Sequence, residues 1–308
     1  MKHVFVINPH AGGCDRSDGI AARLDTAELD YEAYATRAPR DATRFVVEWC
    51  AQHPADDVRF YACGGDGTLN EVVSGVMACG QAGSPVSRVV EVACYPCGSG
   101  NDYVRCWPEL DFADLEALVV GSAVDVDVLR VGDRYAVNVL NYGFEAEVCR
   151  VMQQVRRWPL VGGRAAYLTG IVHCLFHARH NPCRIIVDGE AMAEGDMLLA
   201  SAAIGRYVGG GYMCAPRAVA DDGMLEAQCV DSLSIVRFAR MIGAYKRGEH
   251  LDRADMADVV HYRRGRTMCI ESDRPFSIVV DGELLSGNRF DIECMPRALK
   301  FVLPGGKV

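Results

Sequence analysis

The residues best suited to chemistry lie in Cys63-Gly64-Gly65-Asp66-Gly67-Thr68-Leu69-Asn70-Glu71, where glycines surround a lone carboxylate. Glycine lets backbone N–H groups approach a ligand closely, and a helix N-terminus favours anions. Asp66 suits such a place if phosphates arrive with a divalent cation; alone it would repel them. A second stretch, Pro96-Cys97-Gly98-Ser99-Gly100-Asn101-Asp102, adds a hydroxyl, an amide and another carboxylate. Neither stretch carries GxxxxGK[ST] or GxGxxG, so the usual nucleotide loop and the usual dinucleotide route are disfavoured. What remains is a nucleotide site of backbone amides, the hydroxyls of Thr68 and Ser99, and Asn8, Asn70 or Asn101, with carboxylates handling Mg²⁺. Cys94 and Cys97 have CxxC spacing but no second pair, and His173 and His177 sit four apart with His180 close by. Buried thiols and an exposed helix face account for these better than a metal.

The elements that must position these loops alternate strand and helix over the first 122 residues, the pattern of a mostly parallel α/β sheet. Val4–Ile7 is a continuous apolar run of the kind buried on both faces, Val58–Ala62 is a strand-like run, and Val89–Tyr95 reads as another buried strand. The first ends at the turn-forming Asn8-Pro9-His10-Ala11-Gly12-Gly13, and the other two end at the two glycine stretches. Residues 16–27, 40–52 and 112–120 read as helices, and Thr68 with Glu71 has capping-box spacing for the helix after the first stretch. From residue 123 the period changes. Val124-Asp125-Val126-Asp127-Val128 alternates, as in an antiparallel strand whose acidic side is solvated. Strands and turns then dominate to about 285, with helices near 145–157, 164–178 and 232–247. Val187-Asp188-Gly189-Glu190 and Val280-Asp281-Gly282-Glu283 are two matching type I′ hairpin signals. Arg297–Leu303 reads as a strand returning to the first domain. The expected domains are 1–122 with 296–308, and 123–295.

At 308 residues the chain can bury two cores. A net charge of −9 argues against nucleic-acid binding, which needs a basic face. No apolar run is long enough to cross a membrane, and Met1-Lys2-His3 leads straight into a strand rather than a signal peptide. The reading is a cytoplasmic protein. Val155-Arg156-Arg157-Trp158-Pro159-Leu160 and Tyr262-Arg263-Arg264-Gly265-Arg266 are local basic patches that could give peripheral membrane contact.

The chain resembles the diacylglycerol kinase catalytic-domain family of bacterial lipid kinases, related to sphingosine and ceramide kinases. The resemblance rests on Asn8-Pro9 with Gly12-Gly13, Gly64-Gly65-Asp66-Gly67-Thr68 with Asn70-Glu71-Val72, and Pro96 with Gly98-Ser99-Gly100-Asn101-Asp102. It continues through Gly143-Phe144-Glu145-Ala146, Gly209-Gly210 to Asp221-Asp222-Gly223-Met224-Leu225, and Asp281-Gly282-Glu283. It implies an N-terminal α/β domain like those of phosphofructokinases and NAD kinases, followed by a larger C-terminal β-sandwich domain. It also implies ATP against Gly64, Gly65, Gly67, Thr68 and Asn70, with Asn8, Thr36, Gly98, Ser99 and Asn101 beside it.

By the same resemblance the acceptor lipid lies between the domains and Glu283 is the catalytic base. Asp66 and Asp102 would organise the catalytic Mg²⁺, and Val219, Asp222 and Met224 would hold a second, structural one. Ser99 stands where the family often has threonine, and Glu145 replaces a common aspartate. Expected partners are ATP and a lipid, foremost diacylglycerol, with a monoacylglycerol, a sphingoid base or a polyprenol as alternatives and a homodimer left open. A soluble NAD kinase-like enzyme shares the Gly-Gly-Asp-Gly signature, but the early Asn-Pro-Gly-Gly loop and Asp281-Gly282-Glu283 favour the lipid group. A silent lipid-binding relative would have no chemical need of Asp66, Asp102 and Glu283 together.

Overall fold

The computed structural model describes residues 1–13, 17–26, 29–81, 88–155, 170, 173–176 and 179–305. The chain forms two compact units, Met1–Val128 with Arg297–Val308, and Leu129–Pro296.

In the first unit, β1 (Lys2–Ile7), β2 (Tyr31–Ala35), β3 (Val58–Gly64) and β4 (Val90–Pro96) alternate with α1 (Ser17–Thr26), α2 (Asp41–Gln52) and α3 (Asp66–Gln81). A short α4 (Leu115–Val119) and β5 (Ser122–Val131) follow. The strands lie in the order β2–β1–β3–β4, all parallel. The direction of winding reverses between β1 and β3, and in open α/β sheets a ligand binds at the carboxyl edge of that switch point. Every residue of β3 is buried, as expected of a strand covered on both faces. Phe5 and Tyr61 stack at 4.1 Å across the β1–β3 pair.

Arg59 is the one charged residue of β3. Its Nε donates to Glu91 on β4 at 2.7 Å, and its two terminal nitrogens donate to the carbonyls of Leu118, Val119 and Gly121 at the end of α4. Removing one partner of a buried ion pair strands the other, at about 3–5 kcal/mol. Arg59→Met is therefore expected to lower unfolding stability by about that amount. Arg59→Met with Glu91→Leu should recover only part of it in a denaturant titration, because the α4 carbonyls stay unserved.

The sheet gains a fifth parallel strand from the end of β13 (Glu283–Leu303), through Lys300 opposite Glu91 and Phe301 opposite Val92. The returning segment is thus the last part of one long strand, not a separate one. At the crossing, Arg297 takes a left-handed backbone (φ 50°) and its N–H donates to Asp127 Oδ1 at 2.8 Å. Asp127 is fully buried and Asp125 pairs with Lys300 at 2.8 Å. Asp127 thus departs from the expected solvated acidic face while Asp125 stays exposed on it, and β5 uses both carboxylates to hold the returning strand. Phe301 then packs against Tyr103, Trp107 and Phe112, steadying the segment just after Asp102.

The second unit is antiparallel. It contains β6 (Arg134–Ala136), β7 (Val139–Gly143), β8 (Asn181–Val187), β9 (Glu190–Ala203), β10 (Leu225–Asp231), β11 (Val260–Gly265), β12 (Thr267–Val280) and the first part of β13. The long β9 pairs with β8 along its first half and with β7 and β10 along its second. Likewise β12 pairs with β8, then β7. These two strands serve two layers, as a β-sandwich requires, and Leu140, Ile185, Met197, Ile270 and Ile278 fill the interior. A second core gathers α5 (Phe144–Val155) and α6 (Ile235–Arg247) through Phe144, Phe238 and Tyr245. Most of the helix expected over 164–178 lies outside the described residues.

Candidate active site

The carboxyl ends of the four parallel strands carry the residues singled out for a nucleotide. Asn8 follows β1, Thr36 follows β2, Gly64 ends β3, and Gly98, Ser99 and Asn101 follow β4. The glycine loops interlock. Gly64 O accepts from Cys97 N at 2.7 Å and Gly98 N at 3.2 Å. Asn101, itself left-handed (φ 52°), closes the second loop by accepting from Gly98 N and donating to Gly98 O. A Cβ on Gly98 would sit 2.4 Å from Gly65 Cα, and one on Gly12 would sit 2.4 Å from Cys97 O. No side chain fits at either place. Gly98→Ala is accordingly expected to separate the two loops and weaken nucleotide binding at least about tenfold, by the displacement logic of positioned groups. Isothermal titration reads that loss, and an unchanged affinity would refute it.

Asn8 ties the first loop in: its N–H donates to Cys63 O at 2.9 Å and its Nδ2 donates to Thr68 Oγ1 at 3.1 Å. Thr36 N donates to Ile7 O at 2.8 Å. Thr68 and Asn70 are buried, Thr68 bonded to Asn8, whereas Ser99 and Gly67 are exposed. The capping box does not form. Helix α3 starts at Asp66, three residues earlier than that spacing requires, and Glu71 instead accepts from the N–H groups of Arg40 and Ala42 at the start of α2. A carboxylate at a neighbouring helix's N-terminus serves the same unpaired donors.

Asp66 Oδ1 accepts from Asp102 N at 2.6 Å and Tyr103 N at 3.2 Å, joining the two loops. Its Oδ2 and the Oδ2 of Asp102 both border Gly100, where a Cβ would come within 2.9 Å and 3.3 Å of them. Two carboxylates thus face one side-chain-free position, an oxygen donor set of the kind a hard cation takes. Arg105 belongs to no motif in the sequence, yet it donates to Gly100 O at 2.9 Å and lies 3.5 Å from Asp102. Its signal is only a basic residue three positions beyond Asp102, on the short 3₁₀ turn that opens there.

In the second unit the two Asp-Gly-Glu turns adopt the same backbone, with left-handed Asp188–Gly189 and Asp281–Gly282. Asp281 accepts from Val137 N at 2.8 Å and Val139 N at 3.0 Å, while Asp188 accepts from Arg266 N and Thr267 N. Each glutamate faces an arginine: Glu283 lies 3.6 Å from Arg134 and Glu190 lies 3.3 Å from Arg263. They differ in exposure, 32% for the Glu283 side chain against 80% for Glu190. Glu145 opens α5 and accepts from the Tyr245 hydroxyl at 2.8 Å; its Oε2 is buried, and burial raises the carboxyl to about 7.

At the suggested second cation position, Asp222 accepts from Met224 N at 3.1 Å and is ion-paired with Arg264, while Val219 is exposed. Arg264 also meets the buried Glu226 at 3.1 Å, and Arg263 meets Glu190, so two charges of the 262–266 patch are engaged locally. The 156–160 patch and His177 lie outside the described residues. Cys94 and Cys97 are buried thiols. Among the described residues no group of three or more His, Cys, Asp or Glu could hold a metal, and no helix is long and apolar enough to cross a membrane.

Comparison with known proteins agrees with this architecture. Residues 2–131 match the family described as "Diacylglycerol kinase catalytic domain", and residues 138–303 match "YegS C-terminal NAD kinase beta sandwich-like domain". A "Probable lipid kinase YegS-like" protein of Xanthomonas axonopodis pv. citri (strain 306) is 30% identical over 96% of this chain and 91% of its own. One of the same description from Shewanella frigidimarina (strain NCIMB 400) is 26% identical over 86% of this chain and 81% of its own. A crystal structure described as a diacylglycerol kinase from Bacillus anthracis str. Sterne shares the fold, with TM-score 0.70 and 20% identity over 98% of this chain and 96% of that one. The chain belongs to the YegS-like lipid kinase family, phosphotransferases with an alcohol acceptor.

Proposed function

We propose that this kinase uses ATP and Mg²⁺ to phosphorylate a lipid hydroxyl, diacylglycerol in the first place, giving phosphatidic acid. The observation that carries the reading is the pair of carboxylates, Asp66 and Asp102, facing Gly100 where the loops after β3 and β4 interlock. The start of α3, where Gly67 is exposed, receives phosphate oxygens beside them. Mg²⁺ held by Asp66 and Asp102 would neutralise charge on the transferring phosphoryl group. Glu283 accepts the proton of the lipid hydroxyl, which is a poor nucleophile until deprotonated. A cation at Val219, Asp222 and Met224 binds only by displacing Arg264 from Asp222. A lipid acceptor also calls for peripheral contact with a membrane surface.

The test is transfer from γ-labelled ATP to a panel of diacylglycerol, monoacylglycerol, sphingoid base and polyprenol, with NAD alongside, separated by thin-layer chromatography. Labelled phosphatidic acid is the expected product. Transfer to another lipid would correct the acceptor, and transfer to NAD alone would overturn the reading.

A further inference from the structure

Helices α2 and α3 of the first unit meet at Gly75, where a Cβ would lie 2.7 Å from Val46 Cβ and 3.0 Å from Thr43 O. Residues four apart on a helix share a face. One turn beyond Val46 is Cys50, and one turn beyond Gly75 is Cys79. The register that seats Gly75 against Val46 therefore brings the two thiols together, close enough for each to perturb the other's ionisation. Cys79 Sγ also lies 3.9 Å from Val46 O. Arg88 completes the cluster: its guanidinium donates to Cys50 O at 3.0 Å and His53 O at 2.7 Å, beside the Cys50 sulfur.

We infer that Cys50 and Cys79 form a redox site, oxidised by a hydroperoxide such as hydrogen peroxide to a disulfide that staples α2 to α3. The Cys50 thiolate attacks one peroxide oxygen and the O–O bond breaks. Hydroxide leaves and takes up the proton that Cys50 had released, giving water and a Cys50 sulfenic acid. The Cys79 sulfur then attacks the Cys50 sulfur; the S–S bond forms, the S–O bond breaks, and the hydroxyl departs with the Cys79 proton as a second water. Two electrons pass from the two thiols to one peroxide.

Thiolate character decides which cysteine reacts. The neighbouring Cys79 thiol, with the positive Arg88 alongside, lowers Cys50 to about 7 despite its burial at the end of α2. Burial pushes Cys63, Cys94, Cys174, Cys183 and Cys229 the other way. Cys79 is only half-buried, which leaves the pair an approach from solvent.

The experiment treats the full chain with a few equivalents of hydrogen peroxide, blocks remaining thiols by alkylation, and maps unreduced peptides with fragmentation to separate Cys79 from Cys63. The expected product links Cys50 to Cys79, is two hydrogens lighter than the free peptides, and reverts with dithiothreitol. Its melting temperature should rise by several degrees, as a loop-closing crosslink implies. Cys79→Ser should leave a Cys50 sulfenic acid that dimedone traps, and Cys50→Ser should abolish both products. A folded wild-type chain that is oxidised without the 50–79 link, or in which dimedone labels Cys50 no faster than Cys94, would overturn the inference. Wild-type mapping stands even if a serine variant fails to fold.

Discussion

Glu283→Gln is expected to lower kcat by at least about 100-fold, the lower end of what a positioned base contributes, while ATP binding stays unchanged. The substitution keeps shape and removes only the capacity to take a proton. Its place supports the role: Glu283 opens β13 directly after a turn whose aspartate is latched to the backbone of Val137 and Val139, so the carboxylate is held on a rigid hairpin. Glu190→Gln is the matched control, with the same turn, the same preceding aspartate and an arginine neighbour. Losing that exposed pair should cost no more than about 1 kcal/mol of stability and leave turnover intact. Steady-state kinetics with ATP titration on both variants decides the assignment, and the reverse pattern would sink it.

Asp66→Asn should reduce kcat by roughly 10²–10³-fold, the usual loss when one pre-set electrostatic group at a reacting centre is removed, and raise the Mg²⁺ concentration needed for half-maximal rate. The amide oxygen can still accept from Asp102 N and Tyr103 N, so the two loops stay joined and the melting curve should barely move. What disappears is half of the charge facing Gly100. Asp66→Ala loses the latch as well and should destabilise the unit besides. A Mg²⁺ titration of rate, paired with thermal melts, separates the two effects. Full activity in Asp66→Asn would remove Asp66 from the metal.

Much of the fold was legible in local pattern. The unbroken apolar run Val4–Ile7 and the strand-like run Val58–Ala62, interrupted only by Arg59, mean burial on both faces, and the structure places them as neighbouring parallel strands. Glycine-rich loops at the ends of such runs fall at the carboxyl edge of the sheet because each parallel strand must leave there. The two Asp-Gly turns form as their left-handed preference requires.

The failures share a cause. Thr68 and Glu71 have capping spacing, but Asn8 and the start of α2 compete for them from other parts of the chain. Asp127 looks solvated until the backbone of Arg297 arrives from 170 residues away and buries it, beside an Asp125 that stays exposed in its pair with Lys300. Charge, loop flexibility and strand period are properties of neighbours in sequence, so composition and spacing reveal which chemistry is present. A carboxylate's partner is set by which distant donor the packed sheet delivers to it. For this kinase, the two glycine–aspartate loops could be read directly from the chain. That Asp66 binds one loop to the other, with Asp102 facing the same glycine, follows only from folding β3 and β4 side by side.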